Sequence, residues 1–170
     1  MEASKASSGA MNCEKRPTDL AELCAQALGE YTARLEDAGL TPVLTMPEAG
    51  LWGMADGRLV WRVLDNLLGN ACKYAQPGTR LYLAGSGSGK TVSLSVKNIS
   101  REALNITADE LMERFVRGDA ARTSEGSGLG LSIARSLCEL QGGSFALTVD
   151  GDLFKAQITL AACPPPQTEE

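Results

Sequence analysis

Residues 66–74 constrain the fold of this chain most, because they give one helix two unlike faces. Asn66, Asn70 and Lys73 are spaced i, i+4 and i+7, which makes one polar stripe on a helix. Apolar residues recur at helical spacing on the opposite face. They are Val60, Val63, Leu64, Leu67, Leu68 and Ala71. The sequence therefore predicts an amphipathic helix over about residues 56–75, with its stripe facing solvent or a cleft.

The stripe has the donors and acceptors that suit a hydrated magnesium ion and its phosphates. Two carboxamide oxygens and one ammonium group would converge on one spot. A solvated helix face fits the same pattern, so the stripe alone leaves both interpretations open.

A second motif, GSGLGL at residues 126–131, leads directly into another predicted helix that ends at Gly142 and Gly143. Glycines allow a phosphate to approach the backbone, and the first N–H groups of a helix attract anions. Glycines before a helix are weak support when taken alone. Together with the polar stripe, they point to one class of ligand, a nucleotide.

Two further segments complete an ordered set of motifs. Residues 55–59 precede the stripe, and RFVRGD at residues 114–119 lies between the stripe and the glycine motif. With an N box at residues 66–74, an F box at 114–119 and a glycine box at 126–131, the chain resembles the ATP-binding catalytic domain of sensor histidine kinases. That domain belongs to the Bergerat-fold family, which includes gyrase, mismatch-repair proteins and a heat-shock chaperone.

The resemblance implies a fold and a division of the chain. The fold would be a two-layer α/β sandwich with a mixed sheet of about five strands, about three helices and a mobile ATP lid. The domain would span residues 17–160, with its lid at about 99–127. Residues 1–16 are expected to be a flexible or expression-derived lead, and residues 161–170 a disordered tail.

The resemblance also implies roles for the N-box residues. Asn70 would bind Mg²⁺, and Asn66 would support the metal directly or through water. Lys73 would neutralise phosphate charge and act with Asn66 in catalysis. Tyr74 would pack near the ribose or triphosphate, although an ordinary interfacial tyrosine fits equally. Hydrolytic members of the fold have glutamate where Asn66 stands, and asparagine cannot act as a general base, which favours a kinase over an ATPase.

Further nucleotide contacts are expected elsewhere. Main-chain amides of the glycine box would bind phosphate, at Gly126, Gly128, Leu129 and Gly130. The first glycine box departs from the family pattern, because Asn98 stands where the family has an aspartate that accepts from the adenine amino group. A neutral acceptor makes the weaker hydrogen bond, so reduced affinity for ATP is expected.

The predicted lid contributes three candidates. Phe115 would pack the lid on the core, and Arg117 or Arg122 would reach the γ-phosphate. A solvated loop charge is the favoured interpretation of each arginine, because arginine is commonly exposed.

Composition narrows the function further. The 170 residues fit one domain, and a net charge of −5 argues against a nucleic-acid partner. The five cysteines form no C-x-x-C pair, and no apolar run is long enough to span a membrane, so a cytoplasmic fragment of a membrane-bound protein is expected. The chain has no histidine. A phosphoacceptor histidine would have to lie on a separate dimerisation domain.

The spacing of apolar residues in the rest of the chain predicts the other helices and strands. They are a helix over residues 19–38, strands at 43–46 and 51–54, a hairpin of 81–83 with 92–96, a short helix from 107 to 115, and a hairpin of 144–149 with 154–160. Residues 84–91, AGSGSGKT, match a relaxed phosphate-binding P-loop. A strand-like alternation follows them where a P-loop needs a helix, so they are predicted to be a flexible hairpin loop.

The predicted function is to bind Mg-ATP and present its γ-phosphate to a histidine of the dimerisation domain, which would pass it to a cognate response regulator. A degenerate nucleotide site that serves as a signalling scaffold is the first alternative. A protein-serine kinase of the anti-sigma-factor type is the second, and the F box argues against it.

Overall fold

The computed structural model describes residues 13–101 and 127–166, which form a two-layer α/β sandwich. Its elements in chain order are β1 (Arg16–Asp19), α1 (Leu20–Glu30), α2 (Thr32–Asp37), β2 (Thr41–Thr45), β3 (Trp52–Ala55), α3 (Gly57–Tyr74), β4 (Arg80–Ser88), β5 (Thr91–Ile99), α4 (Ser127–Leu140), β6 (Ser144–Asp150) and β7 (Leu153–Ala161).

The main sheet has five strands in the order β2-β4-β5-β7-β6. β2 pairs parallel with β4, and the other pairs are antiparallel, so the sheet is mixed as predicted. β1 and β3 form a separate two-stranded antiparallel sheet. The strands predicted at 43–46 and 51–54 both exist, but β2 and β3 lie in different sheets.

The hydrophobic core lies between the helices and one face of the main sheet. The six apolar residues predicted on the core face of α3 are all buried, and Leu59 joins them. Alternate residues of β5 face the same core, at Val92, Leu94 and Val96. The amphipathic helix predicted from the sequence is therefore confirmed, with bounds within one residue of those expected.

The helix predicted over residues 19–38 is instead two helices. The backbone leaves helical geometry at Tyr31, where φ is −97° and ψ is 4°. Gly29, a weak helix former, lies two residues earlier. The Tyr31 hydroxyl hydrogen-bonds Asp65 of α3, at 3.0 Å from its main-chain oxygen and 2.5 Å from its carboxylate. This tertiary anchor has no signature in the periodicity of α1.

The folded part extends a little beyond the predicted domain limits on both sides. β1 takes in Arg16, which pairs with Ala55. β7 runs to Ala161, and the Cys163 amide donates to the Trp52 carbonyl oxygen at 3.2 Å. The remaining residues of the expected lead and tail, 1–12 and 167–170, lie outside the described residues.

Both predicted hairpins are present, but the first has a shorter loop than expected. β4 continues to Ser88, and the turn consists of Gly89 and Lys90, with φ of +60° at Gly89. Residues 85–88 were predicted as a flexible loop, and this was wrong because they pair with β5 across the sheet. A strand rather than a helix follows Lys90, which agrees with the rejection of a P-loop.

Candidate functional site

The predicted N-box stripe lies on α3, on the side away from the core. Asn66, Asn70 and Lys73 are all half-buried, while Tyr74 is 41% exposed. Helix geometry places the first three on one side of α3, as the sequence predicted. Partial burial means that neighbouring groups shelter the stripe, so it differs from a fully solvated helix face.

The glycine-box helix, α4, packs against α3. The start of α3 meets the end of α4, because the Asp56 amide donates to the Gln141 side-chain oxygen at 2.9 Å. The first turn of α4 is therefore directed toward the C-terminal half of α3. Gly128, Leu129 and Gly130 belong to that turn, whose leading amides have no partner within the helix.

Asn98, the proposed adenine contact, is buried near the end of β5 with 5% of its surface exposed. Its carboxamide has no hydrogen-bond partner among residues 13–101 and 127–166. Gln141 is a useful contrast, since it is 3% exposed and both atoms of its carboxamide are bonded. A buried carboxamide without a partner is costly. A bound ligand would relieve that cost at Asn98.

The end of α3 is held against the end of β5, which brings Asn98 and the stripe together. The Gln76 amide donates to the Ile99 oxygen at 2.7 Å, and the Arg101 amide donates to the Tyr74 oxygen at 2.9 Å. The Arg101 guanidinium also donates to the Lys73 carbonyl oxygen. A cation near these last carbonyl groups is favoured by the helix dipole.

Arg101 is a residue of this site that the sequence motifs did not identify. Its charge just beyond the first glycine box is a signal, but its contact with α3 depends on a fold in which β5 ends beside that helix. The expected contacts at Phe115, Arg117, Arg122 and Gly126, with the F box, the helix at 107–115 and most of the expected lid, lie outside the described residues.

Asp56 holds the start of α3 as its N-cap. Its carboxylate accepts from the Arg58 amide at 3.0 Å and from the Arg58 guanidinium at 2.8 Å. It also accepts from the Glu14 amide at 2.9 Å. The hydrogen bond from the Arg58 side chain is the main reason that the pKa of Asp56 falls to about 2, and it outweighs the opposite effect of burial.

A second tether holds α3 beside Asn66. Tyr31 bonds Asp65 on α3, and the Arg34 guanidinium lies over the Tyr31 ring, 4.6 Å from its centroid. Burial, together with the Asp65 carboxylate, raises the pKa of Tyr31 to about 12. The tyrosine therefore stays protonated and keeps donating throughout the neutral range.

Comparison with known proteins agrees with this geometry. The family described as histidine kinase-, DNA gyrase B-, and HSP90-like ATPase matches residues 55–163. The signal transduction histidine-protein kinase BaeS of Escherichia coli (strain K12) is 31% identical over 137 residues, which are 79% of this chain and 29% of BaeS. Sensor protein SrrB of Staphylococcus aureus (strain NCTC 8325 / PS 47) is 26% identical over 159 residues, which are 92% of this chain and 27% of SrrB.

Solved structures show the same fold. Histidine kinase AdeS of Acinetobacter baumannii superposes with a TM-score of 0.74 at 19% identity, over 94% of this chain and 74% of that one. The catalytic domain of histidine kinase ThkA gives a TM-score of 0.75 at 20% identity, over 88% of this chain and 96% of that domain.

The chain belongs to the family of histidine kinase-, DNA gyrase B- and HSP90-like ATPases. Within that family, it is a catalytic ATP-binding domain of the sensor histidine kinase type, as the sequence motifs indicated. It spans less than a third of the length of its curated relatives BaeS and SrrB. Among the helices that the structure describes, none is long and apolar enough to cross a membrane.

We expect the Asp56 carboxylate to stabilise the fold in a pH-dependent way. Its pKa is depressed in the folded state, so its contribution is present above its ordinary value of 3.8 and is lost as pH falls through about 2. The Arg58 side chain is 69% exposed and therefore screened, which limits this contribution to about 1 to 2 kcal/mol. Urea unfolding of wild type and Asp56→Asn at pH 6, 4 and 2.5 measures it. The difference should shrink toward low pH, and a constant difference would contradict the assignment.

Proposed function

We propose that this domain binds Mg-ATP between α3, α4 and the end of β5, and presents the γ-phosphate to a histidine on another domain. The buried carboxamide of Asn98 is the observation that carries the proposal. It has no partner in the described part of the chain, and it lies where the backbone of β5 joins the end of α3. The adenine amino group can donate to its oxygen, which would satisfy a group that otherwise raises the energy of the fold.

The polar stripe of α3 fits the rest of the ligand. Asn70 would coordinate magnesium through its amide oxygen, and Asn66 would support the ion directly or through water. Lys73 would offset phosphate charge, and Tyr74 would border the ribose and triphosphate. A magnesium ion held by these residues would supply positive charge beside the phosphates. The residues present fit that ion, because neutral oxygen donors beside a triphosphate suffice for it.

The amides at the start of α4 would bind the phosphate tail. Gly128, Leu129 and Gly130 lie in the first helical turn, where unpaired N–H groups and the helix dipole favour an anion. Gly126, Phe115, Arg117 and Arg122 complete the proposed contact set on the basis of the family resemblance.

The chemistry of the stripe favours transfer over hydrolysis. Asn66 has no titratable group near neutral pH and cannot activate water as a general base. ATP would therefore be held until an outside nucleophile attacks in line. The 170 residues contain no histidine, so the nucleophile would come from a dimerisation and phosphotransfer domain of the full-length protein, with a response regulator as the next acceptor.

Replacement of Asn70 by alanine should weaken binding of a non-hydrolysable ATP analogue by about tenfold or more, because it removes the proposed magnesium ligand. Calorimetry with and without Mg²⁺ measures both the affinity and its metal dependence, and both should fall. Gln26→Ala is the matched control, since Gln26 is an exposed carboxamide on α1. Unchanged affinity and unchanged metal dependence in Asn70→Ala would place the metal elsewhere.

Substitution of Asn98 by aspartate should tighten binding of the same analogue about fivefold at pH 7, because a charged acceptor makes a stronger hydrogen bond to the adenine amino group. The nucleotide-free protein should lose stability, since the substitution buries a charge. Titration calorimetry and thermal unfolding measure the two effects. Weaker binding in Asn98→Asp at full folding would argue that adenine does not contact this residue.

Labelled ATP separates the proposed kinase from its alternatives. Mixing the domain with its histidine-bearing hairpin and γ-labelled ATP should give acid-labile label on the hairpin, as expected for phosphohistidine. Acid-stable label on a protein partner would favour a serine kinase. Absence of nucleotide binding at millimolar ATP would favour a scaffold with a degenerate site.

A further inference from the structure

A cluster of polar contacts lies at the end of α3 opposite to the proposed nucleotide site. It joins Glu14, Asp56 and Gln141, which we call the Asp56 junction. The residues are far apart in sequence, since Asp56 follows Glu14 by 42 positions and Gln141 follows Asp56 by 85. The family motifs assign a role to neither contact.

Gln141 joins the two helices that carry the proposed nucleotide ligands. Its side-chain oxygen accepts from the Asp56 amide at 2.9 Å, and its side-chain nitrogen donates to the Leu137 carbonyl oxygen in α4, also at 2.9 Å. Gln141 is 3% exposed, and both the oxygen and the nitrogen of its carboxamide are hydrogen-bonded within the protein. Water therefore cannot easily take the place of these hydrogen bonds. The start of α3 is thereby fixed to the end of α4.

Asp56 also binds the leading segment, which we define as residues 14–19, at the same junction. One carboxylate oxygen accepts from the Glu14 amide. The next residues form β1, whose Thr18 hydroxyl donates to the Ala55 carbonyl oxygen at 2.9 Å. Movement of the leading segment therefore acts on the residue that begins α3.

A helix transmits such movement along its length. Fourteen residues separate Asp56 from Asn70, which is about 21 Å at 1.5 Å per residue, so a tilt of ~3° moves Asn70 by ~1 Å. Displacements of that size are sufficient to impair a site that depends on alignment. The polar stripe of α3 and the first turn of α4 form one site only when the two helices keep their relative position.

We propose that Asp56 and Gln141 are positioning residues that set α3 against α4 for nucleotide binding, and that they couple the leading segment to the site. The proposal rests on the function proposed above. By linkage, nucleotide must stabilise the Glu14 contact as much as that contact favours nucleotide.

A second N-cap in this chain serves as a matched control, because it caps a helix without joining the Asp56 junction. Asp19 is the N-cap of α1 and accepts from the Glu22 amide at 3.1 Å. Asparagine caps a helix about as well as aspartate does. Asp19→Asn and Asp56→Asn therefore both keep a cap and lose a charge, but only Asp56→Asn changes the junction.

The first test measures the dissociation constant of a non-hydrolysable ATP analogue by calorimetry, at a temperature where thermal unfolding shows every variant to be folded. Asp56→Asn and Gln141→Met should weaken binding about 3- to 30-fold, and Asp19→Asn should leave it within about twofold. A cap with no positioning role would lower the melting temperature and leave the dissociation constant of the folded protein unchanged.

The second test is hydrogen exchange followed by mass spectrometry. In the wild type, added nucleotide should slow exchange at the Glu14 amide and in β1. Without nucleotide, residues 66–73 should exchange faster in Asp56→Asn than in Asp19→Asn.

The outcomes separate this inference from the proposed function. If the wild type binds nucleotide but neither junction variant weakens it, and exchange at Glu14 does not respond, the inference fails and the function stands. If the wild type binds no nucleotide, the function fails, and the nucleotide-free exchange decides the positioning role alone. In that case, equal rates of hydrogen exchange at residues 66–73 in Asp56→Asn and Asp19→Asn would overturn the proposed positioning role.

Discussion

Burial of one face of α3 is the constraint on which the rest of this structure depends. Its apolar residues pack between the sheet and the other helices, and a helix that buries one face must turn the other outward. The packing of the apolar face therefore places Asn66, Asn70 and Lys73 in a row on the opposite side. The apolar side of the helix thus positions the polar side, which is where we propose that the ligand binds.

Two buried carboxamides show how the fold separates structural polar groups from those suited to a ligand. Gln141 satisfies its donor and acceptor within the protein and joins α3 to α4. Asn98 is about as deeply buried, yet its carboxamide has no partner among the residues that the structure describes. The two residues are similarly buried, but only Gln141 is hydrogen-bonded within the described residues, and this difference supports the proposal that Asn98 contacts adenine.

Hydrogen bonds attach α3 to the rest of the domain at both of its ends. Asp56 and the leading segment hold its first turn, while Arg101 and the end of β5 hold its last. Tyr31 fixes its middle through Asp65. If α3 moves as one body, as the proposed positioning role requires, a change at the Asp56 junction would reach the site.

The sequence by itself determined the amphipathic face of α3, the two hairpins, the mixed α/β architecture and the order of the nucleotide motifs, since each of these follows from local periodicity, glycine placement or family resemblance. Only the tertiary structure decided that the first helix breaks at Tyr31, that Arg16 begins a strand, that Arg101 contacts α3, and that Glu14 and Gln141 meet at Asp56. Those features depend on partners 27 to 85 positions away in the sequence. Periodicity in the sequence indicates which side of a helix or strand is buried. The residue that packs against that side is determined by the tertiary structure.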